Sequence, residues 1–112
     1  MKKNIVVLHL FLDDKFFDLT SDFFDALEGV DNLYYFYSSN KNYQFKYIKK
    51  SDKVKLIHDY KKYVSLFSEL EVDVIYVQAL SYRFYKYFKY ISPKKKIIWW
   101  SWGYDIYNSI GF

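Results

Sequence analysis

The 112-residue sequence has no cysteine, which excludes disulfide bonds, thiolate zinc sites and thiol catalysis. It has only two histidines, His9 and His58, which are too few for a histidine-rich metal centre. No segment approaches the roughly 20 consecutive apolar residues of a membrane-spanning helix. The chain begins like a signal peptide, with lysines before an apolar run, but that run lasts only about eight residues and no cleavage site of small residues follows it. We therefore predict a cytoplasmic protein that has no thiolate or histidine-rich metal site and uses no other cofactor.

Apolar residues, in contrast, are abundant. They make up 52% of the chain, and aromatic residues alone make up 25%. Disordered chains are poor in aromatic and β-branched residues, so this composition predicts a packed core. The length allows one domain, and the sequence has no internal repeat, linker or low-complexity segment. We therefore expect a single domain over residues 1–112.

Charge is divided unevenly along the chain. Residues 1–40 hold three lysines and seven acidic residues, a net −4, whereas residues 41–112 hold fourteen basic and six acidic residues, a net +8. This asymmetry suggests that the later part meets an anionic partner, such as phosphate, a membrane surface or nucleic acid. Lysines that are merely solvated explain it equally well.

Five apolar segments have the length and the β-branched or alternating composition of strands. Amphipathic spacing predicts helices between them and leaves a further short helix possible at residues 104–110. The predicted strands are 4–11, 32–37, 43–48, 72–78 and 96–102, and the predicted helices are 14–28, 54–71 and 81–91. This order predicts an α/β fold with a Rossmann-like, mostly parallel sheet and helices on both faces.

The first predicted helix follows the first strand directly. Asp13 or Asp14 is its candidate N-cap, and Gly29 ends it. The residues expected to face the sheet recur every three or four positions, at Phe16, Thr20, Phe23 and Leu27.

A sheet of this kind binds ligands beyond the carboxyl ends of its strands, which singles out residues 11–14, 78–82 and 102–107. The loop after the first strand has no G-x-G-x-x-G, so a dinucleotide site is not expected there. Asp13 and Asp14 in this loop either cap the helix or bind a ligand, through a sugar hydroxyl or a metal. His9, near the end of the same strand, either belongs to the core or points into the ligand crevice.

The most distinctive segment is IIWWSWGYDIY at residues 97–107, with three tryptophans within four positions. Tryptophans at the mouth of a sheet are unfavourable unless something covers them, and aromatic faces suit sugar rings and bases. Gly103 allows a turn that other residues do not adopt, and Asp105 can cap the next helix or bind a ligand hydroxyl. Trp99 and Trp100 can equally be core residues, so Trp102, Asp105 and Tyr107 are the stronger binding candidates.

Two motifs resemble one known family. The string KKIIWWSWGYDIYN resembles the W-x-x-W-G-x-D-x-Y segment of the TDP-4-acetamido-4,6-dideoxygalactose (N-acetylfucosamine) transferases, which complete the trisaccharide repeat of enterobacterial common antigen and related glycans. The opening HLFLDDKFFD is similar to that family's histidine-ended first strand and its D-x-K-F helix start. Residues 29–90 carry no identifying motif. The matching positions are His9, Asp14, Lys15, Phe16, Trp99, Trp102, Gly103, Asp105 and Tyr107, with Asp13 as a second candidate for the first acid.

The resemblance implies a GT-B glycosyltransferase of polysaccharide biosynthesis, with two Rossmann-like domains facing a cleft and no obligatory metal. Its substrates would be a nucleotide-sugar donor and a glycan carried on polyprenyl pyrophosphate at the inner face of the cytoplasmic membrane. The second domain of such enzymes binds most of the donor, so this chain would correspond to the first, acceptor-side domain and would be inactive alone. The resemblance assigns no catalytic residue. The substrate-binding candidates are His9, Asp13, Asp14, Lys15, Trp102, Gly103, Asp105 and Tyr107.

The predicted helix at 81–91 and the turn after it are strongly basic. Six positive charges near an anionic membrane contribute about 1 kcal/mol each, enough to hold a peripheral protein close to a lipid-linked acceptor. The alternative is a helix packed by its apolar face, with its lysines simply in water. The membrane-surface candidates are Arg83, Lys86, Lys89, Lys94, Lys95 and Lys96.

A different class of function fits the same segment. In SYRFYKYFKYISPKKK, aromatic residues alternate with basic ones, as in proteins that stack bases and bind phosphates. The alternative is therefore a non-catalytic α/β module that binds nucleic acid or another anionic partner. Because helical spacing sorts the rings and the charges onto different faces, we favour the transferase, in which nucleic acid takes no part.

Overall fold

The computed structural model describes residues 3–78 and 86–99. Within these ranges, five strands form one parallel sheet in the order β3-β2-β1-β4-β5. This confirms the predicted Rossmann-like α/β fold. The strands are β1 (Ile5–Leu10), β2 (Val30–Tyr37), β3 (Lys55–Ile57), β4 (Val74–Val77) and β5 (Lys96–Trp99), and the helices are α1 (Phe17–Asp25) and α2 (Tyr60–Ser65).

The two helices lie on opposite faces of the sheet. On the α1 face, the ring of Phe17 contacts those of Phe11 and Tyr34. On the α2 face, Tyr63 contacts Tyr37 of β2 and Phe67 in the turn after α2. Burying a large apolar side chain contributes about 1.5–3 kcal/mol, so the larger α2-side core dominates stability. Its buried members are Leu8, Leu10, Ile57, Tyr63, Phe67, Val72, Ile75, Val77 and Tyr87.

The strand order creates a topological switch point between β1 and β4. The chain leaves β1 toward α1 on one face, whereas the residues that precede β5, including Tyr87 and Ile91, pack on the α2 side. Connections that diverge in this way leave a crevice at the carboxyl ends of two adjacent strands. Gln78 marks this edge, because its backbone N–H donates to the Leu10 carbonyl at 2.9 Å.

The third strand is not where the sequence predicts it. Residues 43–48 are irregular, and β3 lies instead at Lys55–Ile57, inside the stretch predicted as a helix. It pairs with the end of β2, with Tyr37 opposite Ile57. Because β3 takes the first part of that stretch, α2 is only six residues long. The alternation in 43–48 reflects Phe45 and Ile48 packing against the α1-side core, without strand pairing.

The face of α1 that meets the sheet also differs from the predicted one. Phe17 is buried, and Phe24 contacts the sheet through Tyr76. Phe16 and Phe23, which were expected to face the sheet, are exposed. Carboxylates on a third side of the helix bind the segment before β3, and this fixes the rotation of α1 about its axis. The helix therefore has two apolar sides, of which one packs on the sheet.

The last part of the predicted fold is only partly described. Residues 88–90 form a single 3₁₀ turn and not the end of an α-helix, while residues 81–85 of that predicted helix lie outside the described ranges. Residues 100–102 of the last predicted strand lie outside them too, since β5 is described as far as Trp99. Among residues 3–78 and 86–99, no helix is long and apolar enough to cross a membrane.

Candidate functional site

The crevice between the carboxyl ends of β1 and β4 is the candidate site. It is bordered by the β1–α1 loop, which carries Asp13, Asp14 and Lys15, and by Gln78 after β4. The segment 38–50, which leaves β2 at the same edge, lies against this loop. Ligands of parallel α/β sheets bind at such a switch point, so these side chains decide what the crevice can accept.

Asp13 anchors the segment 38–50 to the β1–α1 loop. Its Oδ2 accepts hydrogen bonds from the Tyr43 hydroxyl at 2.8 Å and the Lys46 N–H at 2.6 Å. Its Oδ1 accepts from the N–H groups of Tyr47 and Ile48 at 2.9 and 3.0 Å. Burial by itself would raise the pKa of Asp13, but these hydrogen bonds outweigh it and lower the pKa below its ordinary value. Both oxygens are thus committed to holding the loop.

Asp18 of α1 continues this arrangement. Its two oxygens accept from the N–H groups of Lys49 and Lys50 at 3.2 and 3.0 Å. Together with Asp13, it accepts hydrogen bonds from every backbone N–H between Lys46 and Lys50. A segment outside the sheet must otherwise leave such donors to water. The two carboxylates therefore take the place that a neighbouring strand would fill.

Asp14 has a different environment from Asp13. Its Oδ1 accepts from the Phe16 N–H at 2.8 Å, a local turn just ahead of the helix. The N-cap position of α1 is Phe16 itself, without a side-chain cap, so neither aspartate is the N-cap. Burial raises the pKa of Asp14 above its ordinary value, and the charge of Asp13 adds to this effect. A partly buried carboxyl group with a raised pKa at this edge is suited to bind a hydroxyl or to transfer a proton.

Lys15 completes the loop as an exposed cation. Its ammonium group lies 5.3 Å from the centroid of the Phe16 ring, a weak interaction at an exposed position. The ammonium group of Lys15 therefore lies on the solvent side of the crevice, where an anionic ligand would approach.

His9 lies in the core of the α1 face. Its side chain is 3% exposed, and its ring contacts those of Phe24, Tyr34 and Tyr76 at centroid distances of 4.7, 4.5 and 5.6 Å. Its Nε2 is 2.8 Å from Oδ1 of Asn32, which pairs with Val7 nearer the amino end of the sheet. This geometry supports the core interpretation of His9, and a contact with substrate rests on the resemblance alone.

Asn32 fixes the tautomer of His9. The Asn32 Nδ2 donates to the Phe24 carbonyl at 3.1 Å and to Asp25 Oδ1 at 3.2 Å, so its Oδ1 accepts from His9 and Nε2 carries the hydrogen. Burial lowers the pKa of His9 to about 4, against the opposing effects of Asn32 and Asp25. Neither Asn32 nor Asp25 is among the site residues predicted from the sequence. A polar residue inside an apolar strand is the one sequence signal that pointed to Asn32.

The basic segment that leads into β5 and includes its first residue, Lys96, is only partly available at the surface. Lys86, Lys89, Lys94 and Lys96 are exposed. The ammonium group of Lys95, in contrast, donates to the Glu69 carbonyl and, at 2.6 Å, to the Val72 carbonyl. Lys95 thus fastens the start of β5 to the turn before β4, and its charge is directed inward.

The remaining predicted site residues lie outside the described ranges. For Trp99 the structure describes its place at the end of β5. The roles predicted for these residues stay predictions. Residues outside the ranges are Arg83, Trp102, Gly103, Asp105 and Tyr107.

Neither a metal-binding cluster nor a similar known protein identifies the ligand of the crevice. Residues 3–78 and 86–99 contain no group of three or more His, Cys, Asp or Glu side chains that could hold a metal ion. No protein-family model matches the chain, and no match was found among curated proteins or solved structures. The crevice and the two motifs are therefore the basis for assigning a function.

Proposed function

We propose that the chain is the acceptor-side, N-terminal part of a glycosyltransferase with GT-B architecture. The donor is a TDP-linked 4-acetamido-4,6-dideoxyhexose, and the acceptor is a glycan on polyprenyl pyrophosphate. The observation that carries this proposal is where the two motifs stand relative to the sheet. The loop of the first motif borders the β1–β4 crevice, and the second motif begins in β5, which pairs with β4. The loop of the first motif and Trp99, where the second motif begins, thus stand at the same, carboxyl edge of the sheet.

Each candidate has a role suited to its chemistry. The carboxyl group of Asp14 binds a sugar hydroxyl, because it lies partly buried in the loop that borders the crevice. Lys15 contacts the acceptor pyrophosphate as an exposed point charge. Trp102 and Tyr107 cover the apolar face of a sugar ring. His9 supports the site indirectly, by holding α1 against the sheet.

The test is sugar transfer by the intact gene product that contains this chain, in membranes supplied with labelled TDP-sugar and lipid-linked acceptor. The Asp14→Asn substitution keeps an oxygen for the Phe16 N–H but removes the charge. A hydrogen bond to a charged group is worth about 1.5–3 kcal/mol. We therefore expect the rate of sugar transfer to fall by a factor of roughly ten or more. Asp31→Asn is the matched control, since Asp31 is exposed at the opposite edge, bonded to Asn4 at 3.1 Å.

Two results would count against the proposal. Equal transfer by the Asp14→Asn variant and the unmodified enzyme would remove Asp14 from the site. Absence of any transfer from the TDP-sugar by the unmodified enzyme would remove the activity itself.

The donor is expected to bind mainly elsewhere. The loop after β1 has no glycine-rich turn to cradle phosphates, so residues 1–112 alone should bind TDP weakly or not at all. Isothermal titration calorimetry on this chain measures the affinity. A micromolar dissociation constant would mean that the donor site lies in this half.

The four exposed lysines of the basic segment support a peripheral location on an anionic membrane. Each contributes about 1 kcal/mol near an anionic leaflet, so neutralising all four should abolish retention on anionic vesicles. The matched control neutralises four exposed lysines elsewhere. Equal recovery with neutral and anionic vesicles would contradict this part of the proposal. The test variant replaces Lys86, Lys89, Lys94 and Lys96 by Gln, and the control replaces Lys41, Lys46, Lys49 and Lys61 by Gln.

The nucleic-acid alternative finds less support in the same segment. Tyr87 is buried, and its ring contacts Tyr63 and Phe67 in the core. The ammonium group of Lys86 lies over the Tyr60 and Tyr87 rings, at 5.8 and 5.2 Å from their centroids. A base-stacking platform needs exposed ring faces, so this part of the segment favours packing over stacking.

A further inference from the structure

The side chain of Asp13 accepts four hydrogen bonds, which fills the acceptor positions of a carboxylate. The donors are the Tyr43 hydroxyl and the backbone N–H groups of Lys46, Tyr47 and Ile48, two on each oxygen, at 2.6–3.0 Å. All four lie thirty or more positions away from Asp13 along the chain. We call these four donors the carboxylate site, because together they recognise both oxygens of one carboxylate.

The backbone of the carboxylate site brings consecutive N–H groups together. The chain bends at residues 46, 47 and 49, outside any helix or strand. Backbone N–H groups that converge in a turn form anion-binding concavities. Burial would raise the pKa of Asp13, but the four donors lower it overall, as they do in a site that favours the charged form. The geometry therefore suits an anion with two coplanar oxygens.

Contacts other than those of Asp13 hold the four donors in place. Ile48 is 5% exposed and belongs to the α1-side core. The Tyr43 ring lies 5.2 Å, between centroids, from an aromatic ring of β2. The N–H groups of residues 49–50 donate to Asp18 of α1. Because these contacts fix both ends of the carboxylate site, its donors stay together when the carboxylate of Asp13 is removed.

We propose that the carboxylate site is a binding site for small carboxylate anions, which Asp13 occupies as a ligand tethered by the chain. A group that the fold holds in place is present at an effective concentration far above that of a free ion, so Asp13 fills the site first. The fold thus contains an anion receptor beside the crevice, and its loading keeps segment 38–50 against the β1–α1 loop. The inference does not depend on the proposed function, because it rests on the contacts of Asp13 alone.

Formate titration of the Asp13→Ala variant tests the site by NMR, in the 112-residue chain at neutral pH. This substitution removes a group of the size of formate. Formate should shift the amide hydrogen resonances of residues 46–48 downfield until the site is saturated, because hydrogen bonds form at these N–H groups. Chloride at equal ionic strength lacks the second oxygen and should not reproduce the shifts. Equal shifts with both anions, or no saturable shift with formate, would overturn the proposal.

Two further variants test which groups form the site. Asp18→Ala removes the neighbouring carboxylate and leaves Asp13 in place, so formate should not shift the resonances of residues 46–48 in this variant or in the unmodified chain. Tyr43→Phe, added to Asp13→Ala, removes one of the four donors and should raise the dissociation constant of formate roughly tenfold. Formate shifts at 46–48 in the Asp18→Ala variant, or an affinity that does not depend on Tyr43, would contradict the proposed site.

Urea unfolding gives a second readout, which also serves if a variant is too unstable for NMR. Formate at about ten times its dissociation constant should raise the folding equilibrium constant of the Asp13→Ala variant roughly tenfold over chloride at the same ionic strength. Acetate should do the same for Asp13→Gly, which removes one more carbon. The control is Asp52→Ala, at an exposed position, which should gain nothing from either anion. An equal gain in the control, or none in both Asp13 variants, would overturn the proposal.

Discussion

The buried histidine predicts how this fold responds to acid. The His9 ring is enclosed by aromatic side chains, and its Nε2 hydrogen is committed to Asn32. A second proton would place a positive charge in the core, and burial therefore lowers the pKa of His9 to about 4 from an ordinary value of 6.5. Acid should destabilise the folded state through this one residue before most carboxylates titrate.

The sign follows from which state binds the proton. Above pH 6.5 the ring is neutral in both the folded and the unfolded chain, so its contribution to stability is fully present. As the pH falls from 6.5 to 4, the unfolded chain binds a proton that the folded chain does not, and the free energy of unfolding decreases. A pKa difference of about 2.5 corresponds to a loss of about 3 kcal/mol at pH 4, and of about 2 kcal/mol at pH 5.

Urea unfolding at pH 7.5 and pH 5, followed by circular dichroism, measures this loss. His9→Phe keeps an aromatic ring but binds no proton, so its loss between the two pH values should be about 2 kcal/mol smaller than in the unmodified chain. The variant is also less stable throughout, by about 1–3 kcal/mol, because Asn32 loses its donor. The control is His58→Gln, which removes a histidine that bonds the Ser38 carbonyl outside the core around His9 and should leave the His9-dependent loss in place. Equal losses in the His9→Phe variant and the unmodified chain would refute the reasoning.

Three further substitutions probe the contacts that hold the fold. Asp13→Asn leaves one acceptor oxygen for four donors and should lower the free energy of unfolding by about 2 kcal/mol; urea unfolding should show no change for the exposed Asp52→Asn. Lys95→Met loses two carbonyl contacts and should lower the free energy of unfolding by about 1–2 kcal/mol. Lys94→Met, at an exposed position, should change it by less than about 0.5 kcal/mol. Equal losses in the two variants would contradict the inward direction of Lys95. Phe67 is fully buried, so Phe67→Ala should lower the free energy of unfolding, measured by calorimetry, by about 3–5 kcal/mol. A loss below about 1 kcal/mol would mean that the α2-side core is assigned wrongly.

The sheet could be predicted from the sequence because its central strands are covered on both faces. β1 and β4 read as nearly continuous apolar runs, the pattern of a parallel strand between two layers of helices. Helix signals between them then leave few arrangements other than a doubly wound sheet. The burial on two faces makes the signal strong, and it depends little on any single residue.

The position of β3 could not be predicted in the same way, because it depends on contacts between distant residues. Residues 43–48 alternate as a strand does, yet the backbone N–H groups from Lys46 to Ile48 donate to Asp13, more than thirty positions away. β3 itself is only three residues long and too short to show a period. The rotation of α1 about its axis could not be predicted for a related reason. Asp18 fixes it by accepting hydrogen bonds from the backbone of Lys49 and Lys50, which are also more than thirty positions away in sequence.

Asp13 and Asp14 illustrate the limit most sharply, because a sequence cannot separate two identical neighbours. The oxygens of Asp13 hold a loop, and its pKa is lowered, whereas Asp14 makes a local turn and its pKa is raised. Counting back from Lys15 and Phe16, the D-x-K-F pattern begins at Asp13 and leaves Asp14 at its unspecified position. Its first acid is therefore the residue whose two oxygens hold the loop. Substitution of each aspartate therefore separates the two roles. Asp13→Asn should lower the free energy of unfolding and change the rate of sugar transfer per folded molecule little. Asp14→Asn should lower the rate of sugar transfer and leave the free energy of unfolding nearly constant. The opposite pairing of effects would exchange the two residues in the proposed site.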